Sequence, residues 1–264
     1  MVKVRIAVCQ DAQVTAALAP LASVALAALV AVAAYTVYTP LVAVAVGVAV
    51  LALAMGWGGL LELPARRGTA LVLTLTGWAS AVIAVLAIGM VRPLAPFTAL
   101  LAVAVLLAFA HELIRGQGRP HLVESVTGTL SGEAVALLGG GWVLLPSTRL
   151  GLTAVVAAAA ATAGARLACL IPLPPRVAGW VALMLGVAAG TLAGVLVDPS
   201  QLMPVAVLSG VVSAVVAGLD QVFIGLPATR PASGAFSAIS AFSAAAAPVL
   251  AVGTVAYAVS RLLS

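Results

Sequence analysis

The hydrophobic positions of this chain form long, almost uninterrupted runs that are separated by short polar turns. Each run is close to the length of about 20 residues with which an α-helix crosses the hydrocarbon core of a bilayer. The turns carry proline, glycine and arginine, which end helices or lie at membrane surfaces. The pattern predicts nine membrane-spanning helices, at about Val14–Tyr35, Leu41–Leu61, Thr69–Met90, Leu94–Leu113, Leu122–Leu145, Leu152–Ile171, Ala178–Val197, Met203–Leu226 and Ala235–Leu262.

The composition supports a membrane protein and excludes a soluble one. Hydrophobic residues make up 64% of the 264 residues and charged residues only 7%, whereas a soluble domain carries about 25% charged residues. The turns are too short to hold a second, soluble domain. We therefore predict one integral membrane domain, residues 1–264, with an all-α fold: a polytopic transmembrane helix bundle of about nine spans, with eight as the alternative.

The fifth hydrophobic run, Leu122–Leu145, decides between eight and nine spans. As a helix it has one face of small and polar residues at spacings of three and four, and a Gly128–Gly132 pair that lets another helix approach closely. The residues of this face are Ser125, Thr129, Gly132, Glu133, Ala136 and Gly140. Length and apolarity favour a true span, which gives nine.

The distribution of Lys and Arg predicts a cytoplasmic N-terminus, because positive residues collect on the cytoplasmic side. With nine spans the inner side holds eight basic residues outside the membrane and the outer side three. With eight spans the count is again eight against three, so the charges orient the chain but do not choose between the two topologies. The inner set for nine spans is Lys3, Arg5, Arg66, Arg67, Arg115, Arg119, Arg176 and Arg230.

Glu133 lies at the middle of the fifth run, about twelve residues from either edge. Its side chain is too short to reach the membrane surface, and desolvation disfavours its charged form. We expect a neutral, hydrogen-bonded carboxyl, or a carboxylate beside a cation or a water-filled cavity. The sequence leaves three alternatives: a proton, cation or substrate site, a structural carboxyl bonded across helices, or a re-entrant segment.

Arg166 and Asp220 are the other two ionisable residues inside predicted spans. Each lies roughly 7–9 Å from the end of its span, from a rise of 1.5 Å per residue. One span separates their helices, so both charges face the same side of the membrane at matched depth. They can form an ion pair, Arg166 can instead extend to the surface along its aliphatic stem, or the two can support a substrate- or ion-binding site.

The most polar segment follows the fourth run and is predicted to be a cytoplasmic loop. Its residues of interest are His111, Glu112, Arg115, Arg119 and His121. His111-Glu112 begins like the zinc motif HExxH, but position 115 is Arg115, so the motif fails. The loop either contacts lipid phosphates or serves topology and solvation alone. Cys169 has no CxxC spacing and no neighbouring histidine, so it is expected to be a small apolar helix residue.

No motif for a nucleotide, a metal or a covalent nucleophile occurs in the chain. We found no P-loop, no GxSxG elbow, no acidic cluster of the kind that holds Mg²⁺ and no basic cluster with interleaved aromatics. We therefore expect no cofactor, no metal and no nucleic-acid partner. The expected partners are the lipid bilayer and a membrane protein or second copy that packs on the small-residue faces.

The segment RGQGRPHLVESVTGTLSG, residues 115–132, and the Ala/Val/Leu/Gly-rich spans around it resemble uncharacterised polytopic membrane proteins of actinobacteria. The resemblance implies a multi-pass plasma-membrane location. It implies no activity and transfers no functional residue.

Three function classes remain open on the sequence. The favoured one is a transporter- or permease-like protein for a small solute or lipid, with Glu133 as the coupling or binding carboxylate. The second is a non-catalytic scaffold or subunit of a cell-envelope assembly, in which the charges join helices. A membrane-embedded lipid-modifying enzyme that uses His111 or His121 is the third.

Overall fold

The computed structural model describes residues 2–36, 38–114, 122–224 and 238–263, and side chains within them except those of 2–16, 175 and 224. These residues are mostly helical and contain no strand. The helices are α1 Val2–Tyr35, α2 Thr39–Leu60, α3 Arg66–Ala87, α4 Ala95–Ile114, α5 Leu122–Leu138, α6 Gly141–Leu144, α7 Gly151–Ala168, α8 Pro175–Val197, α9 Leu202–Ile224 and α10 Ala238–Leu262, with 3₁₀ turns at Leu145–Ser147 and Pro199–Gln201.

Nine segments of the described residues are long and apolar enough to cross a membrane. They coincide with the nine predicted runs, and α5, α6 and the following 3₁₀ turn form one of them, Leu122–Ser147. The prediction of an all-α polytopic bundle of about nine spans is therefore confirmed.

Helices α2 and α10 form the centre of the bundle. Helix α10 packs against α1, α2, α5, α6, α7 and α9. Helices α3, α4 and α5 lie on one side of this centre, and α1, α7, α8 and α9 lie on the other. Helices α4 and α8 bury the smallest share of their residues, so they present wide apolar surfaces to the surrounding lipid.

The predicted fifth span, Leu122–Leu145, is one apolar segment but not one continuous helix, because α5 ends at Leu138 and a short α6 begins at Gly141. A Cβ on Gly141 would lie 2.2 Å from the backbone nitrogen of Thr254, so α10 passes too close for any side chain there. At the break the amide of Gly140 donates to the carbonyl of Leu137 at 3.2 Å, and two side-chain hydroxyls add hydrogen bonds to the carbonyls of Leu137 and Leu138. Ser80 donates to the carbonyl of Leu137 and Thr254 to that of Leu138, both at 2.7 Å, which lets irregular backbone lie at membrane depth.

The glycine face of α8 packs inside the chain. A Cβ on Gly186 would lie 2.3 Å from the hydroxyl of Ser213, and one on Gly190 would lie 2.8 Å from the carbonyl oxygen of Ala157. This face therefore fits α8 into the groove between α7 and α9. The small-residue partner surface stays a prediction, and Gly186, Gly190 and Gly194 are not available to it.

Candidate functional site

Glu133 lies on the buried side of α5, where it faces α3, and its side chain is only 1% exposed. Its Oε1 accepts a hydrogen bond of 3.2 Å from the hydroxyl of Thr76 on α3. Its Oε2 is buried and has no hydrogen-bond partner. Among the described residues Glu133 forms no ion pair, so the carboxyl is held at one oxygen and is unsatisfied at the other.

The small, polar face predicted for α5 is buried, as its spacing indicated. Hydroxyl groups of α3 lie along this face of α5. The hydroxyl of Thr69 is 3.4 Å from that of Thr129 on α5, and the hydroxyl of Ser80 donates to the carbonyl of Leu137 at the end of α5. Thr69, Thr76 and Ser80 are spaced by seven and four residues, which places them on one face of α3. Sequence reasoning missed this face, although its periodic hydroxyls were a readable signal.

Trp57 of α2 also contacts α5. Its Nε1 donates a 2.7 Å hydrogen bond to the carbonyl of Gly128. A Cβ on Gly132 would lie 2.6 Å from that nitrogen. Gly132 therefore admits the indole, whereas Gly128 gives room to the side chain of Leu63, which would lie 2.7 Å from an added Cβ.

Arg166 and Asp220 form an ion pair between α7 and α9, from Nη1 to Oδ1, which was one of the three alternatives that the sequence left open. Their exposed fractions are 5% and 6%, so Arg166 does not extend to the membrane surface. Arg166 Nε also donates to the hydroxyl of Ser23 on α1 at 3.0 Å. The Cys169 thiol donates to Asp220 Oδ2 at 3.3 Å. The cluster joins three helices and satisfies both carboxylate oxygens.

Ser23 and Cys169 were missed by sequence reasoning. Cys169 follows the last residue of α7 and acts as a polar donor, which corrects its interpretation as an apolar helix residue. Ser23 in turn donates to the carbonyl of Ala245 on α10 at 2.8 Å. Neither residue has a motif, because their roles arise from contacts between helices distant in sequence.

The structure does not bring the three predicted site residues together. Glu133 lies at the contact of α5 with α3, whereas Arg166 and Asp220 lie at the contact of α7 with α9 and α1. No hydrogen bond or ion pair between described residues joins Glu133 to either of them. They form two separate polar clusters.

The predicted cytoplasmic polar loop begins inside the bundle. His111 and Glu112 belong to the last turn of α4, and Glu112 is only 3% exposed and accepts a hydrogen bond from Ser125 of α5. Glu112 is therefore a helix contact and not a loop residue. His111 packs on Gly68 of α3, whose added Cβ would overlap the imidazole. Arg115, Arg119 and His121 lie outside the described residues.

Comparison with protein-family models, with curated proteins and with solved structures found no match. The fold and the buried polar clusters define the chain as a polytopic α-helical membrane protein. The resemblance of residues 115–132 to actinobacterial membrane proteins stays a prediction.

Proposed function

We propose that the protein is a transporter- or permease-like protein for a small solute or lipid. In this proposal Glu133 binds and releases the coupling cation or a polar group of the substrate. The observation that carries it is the buried Oε2 of Glu133, which has no hydrogen-bond partner.

The contrast between Glu133 and Asp220 supports this assignment. Both oxygens of Asp220 have a donor, from Arg166 and from Cys169, as expected of a carboxylate that joins helices. Glu133 has one neutral hydroxyl donor on one oxygen. Because buried polar atoms in folded proteins are almost always bonded, an unsatisfied one points to a ligand, an ion or a change of state.

The broken helix beside Glu133 supports a transporter for a second reason. Helix α5 ends five residues after Glu133, and the break packs against α10, which itself contains Pro248. Interrupted helices near the middle of the membrane are where many transporters bind substrate and coupling ions. Their irregular backbone also gives a helix two halves that can move separately.

The test is a charge-movement measurement on the purified protein in proteoliposomes adsorbed to a solid-supported electrode. Rapid jumps in proton or Na⁺ concentration should produce a transient current in the wild type, because a buried carboxyl that takes up a cation displaces charge in the membrane. Glu133→Gln keeps the shape and the Thr76 contact but cannot ionise, so the current should fall to the baseline of empty liposomes.

The matched control is Asp198→Asn. Asp198 lies between the spans of α8 and α9 and accepts hydrogen bonds from Ser200, so this variant should keep the wild-type current. Both variants must keep the wild-type thermal unfolding midpoint. An undiminished current in Glu133→Gln, or no current in the wild type with either cation, would contradict the binding of a coupling cation by Glu133.

A scaffold or subunit of a cell-envelope assembly is the second candidate, because both oxygens of Asp220 are bonded and the Arg166 cluster joins helices. A scaffold would tolerate Glu133→Gln in every functional assay. For either function we propose the plasma membrane as the location, with a cytoplasmic N-terminus. A lipid-modifying enzyme would instead lose turnover on substitution of His111 or His121.

A further inference from the structure

An open groove of about 400 Å³ runs between α8 and α9 on the outer surface of the bundle. It begins at the end of the bundle where α8 starts and α9 finishes, and it extends toward the middle of the membrane. Its lining residues are Arg176, Gly179, Trp180, Leu183, Ala214, Ala217, Gly218 and Gln221.

The floor of the groove is apolar and consists mostly of small residues. Leu183 of α8 and Ala214 and Ala217 of α9 form it together with Gly218. A Cβ on Gly218 would meet no atom within 4 Å, so the space above this glycine is unfilled by the protein. In a bilayer such a surface accepts a hydrocarbon chain.

The mouth of the groove is cationic. Arg176 lies at the first turn of α8, with an exposed side chain, and the Gln221 amide lies across from it on α9. None of the described residues that line the groove is acidic. Asp220 is adjacent in sequence, but it is buried and bonded to Arg166 and Cys169. The positive end of the α8 helix dipole adds to the attraction for an anion.

We propose that this groove binds one anionic glycerophospholipid, with its phosphate at Arg176 and Gln221 and an acyl chain along the floor at Gly218. Charge complementarity selects the headgroup, and the continuous apolar floor selects a lipid over a free phosphate ion. Trp180 lies at the rim of the groove and is 67% exposed. In this proposal it is an interfacial tryptophan that contacts the glycerol region of the lipid.

The test is quenching of Trp180 fluorescence by brominated lipids in vesicles of phosphatidylcholine. Trp57 and Trp142 are buried, and Trp78 is 37% exposed, so Trp78→Phe leaves Trp180 as the one strongly exposed tryptophan. In that background brominated phosphatidylglycerol should bind about fivefold more tightly than brominated phosphatidylcholine, which corresponds to about 1 kcal/mol for one basic residue near the surface. Arg176→Gln should abolish the preference.

Gly218→Leu and Gly210→Leu form a matched pair, because both glycines lie on α9 with no atom within 4 Å of an added Cβ, and only Gly218 lines the groove. Gly218→Leu should fill the groove and remove the preference, whereas Gly210→Leu should keep it. Both should unfold at the wild-type temperature.

Four results would overturn the proposal. Equal affinity for the two lipids in the Trp78→Phe background would show ordinary lipid solvation of the groove. A preference that survives Arg176→Gln would put the headgroup elsewhere. If inorganic phosphate displaces brominated phosphatidylglycerol, the groove is a phosphate site. If Gly218→Leu keeps the lipid preference but loses chemical cross-linking between copies, the groove is an interface between copies.

Discussion

Arg166 on α7 and Asp220 on α9 form a buried ion pair although 54 residues separate them in sequence. Ser23 of α1 bonds to the arginine and Cys169 bonds to the carboxylate. The pair therefore fixes three helices at one depth in the membrane.

We expect Arg166→Ala and Asp220→Ala each to lower the free energy of unfolding by about 3–5 kcal/mol, because each leaves a buried charge without its partner. The double alanine variant should be more stable than either single variant, since it buries no charge. Thermal unfolding in detergent micelles measures all four proteins. Additive losses in the double variant would show that the two charges do not interact.

Exchanging the two residues, Arg166→Asp with Asp220→Arg, provides a sharper test of the same pair. The swap restores the charge pair but gives the Cys169 thiol a cation that cannot accept its proton. We therefore expect partial recovery of stability over the single variants. No recovery would mean that the surrounding donors, and not the pair, hold the helices.

Gly190→Ala should destabilise the bundle by about 1–3 kcal/mol, the usual cost of overpacking. Its Cβ would lie 2.7 Å from that of Ala161 and 2.8 Å from the carbonyl oxygen of Ala157, and backbone cannot move aside easily. Gly210→Ala is the control, because it meets open space. Oligomeric state in light scattering should be unchanged in both. Intact stability with altered self-association in Gly190→Ala would assign this face to a partner.

The hydroxyls at the break of α5 predict a measurable stability effect. Ser80→Ala and Thr254→Val should each lower the free energy of unfolding by about 1 kcal/mol, because each removes a hydrogen bond to a backbone carbonyl at the break. Thr127→Ala is the control, since its exposed hydroxyl bonds to the carbonyl of Val123 within its own helix. If all three variants have the same free energy of unfolding, the break in α5 does not depend on the hydroxyls of Ser80 and Thr254.

Nine spans place the two ends of the chain on opposite sides of the membrane. A reporter that is active on only one side should therefore give opposite results when it is fused ahead of Met1 and after Ser264. The same result at both ends would mean an even number of spans, with Leu122–Ser147 as the segment that fails to cross.

The hydropathy pattern was enough to define the all-α class and nine runs long enough to span, because backbone in hydrocarbon must satisfy its hydrogen bonds within each segment. Spacing within a helix also gave the buried face of α5, and matched depth made the Arg166–Asp220 pair one of three alternatives, among which the structure decides. These features depend on one helix at a time or on counting residues from the ends of helices.

Which helix meets which was decided only by the tertiary structure. The break after Leu138 depends on how close α10 comes to Gly141, and the partner of Glu133 is a threonine on α3. The separation of Glu133 from Arg166 follows from their packing on different helices. Every span is apolar enough to cross a membrane, and hydropathy does not say which two helices meet. Shape and a few hydrogen bonds between distant residues determine those contacts.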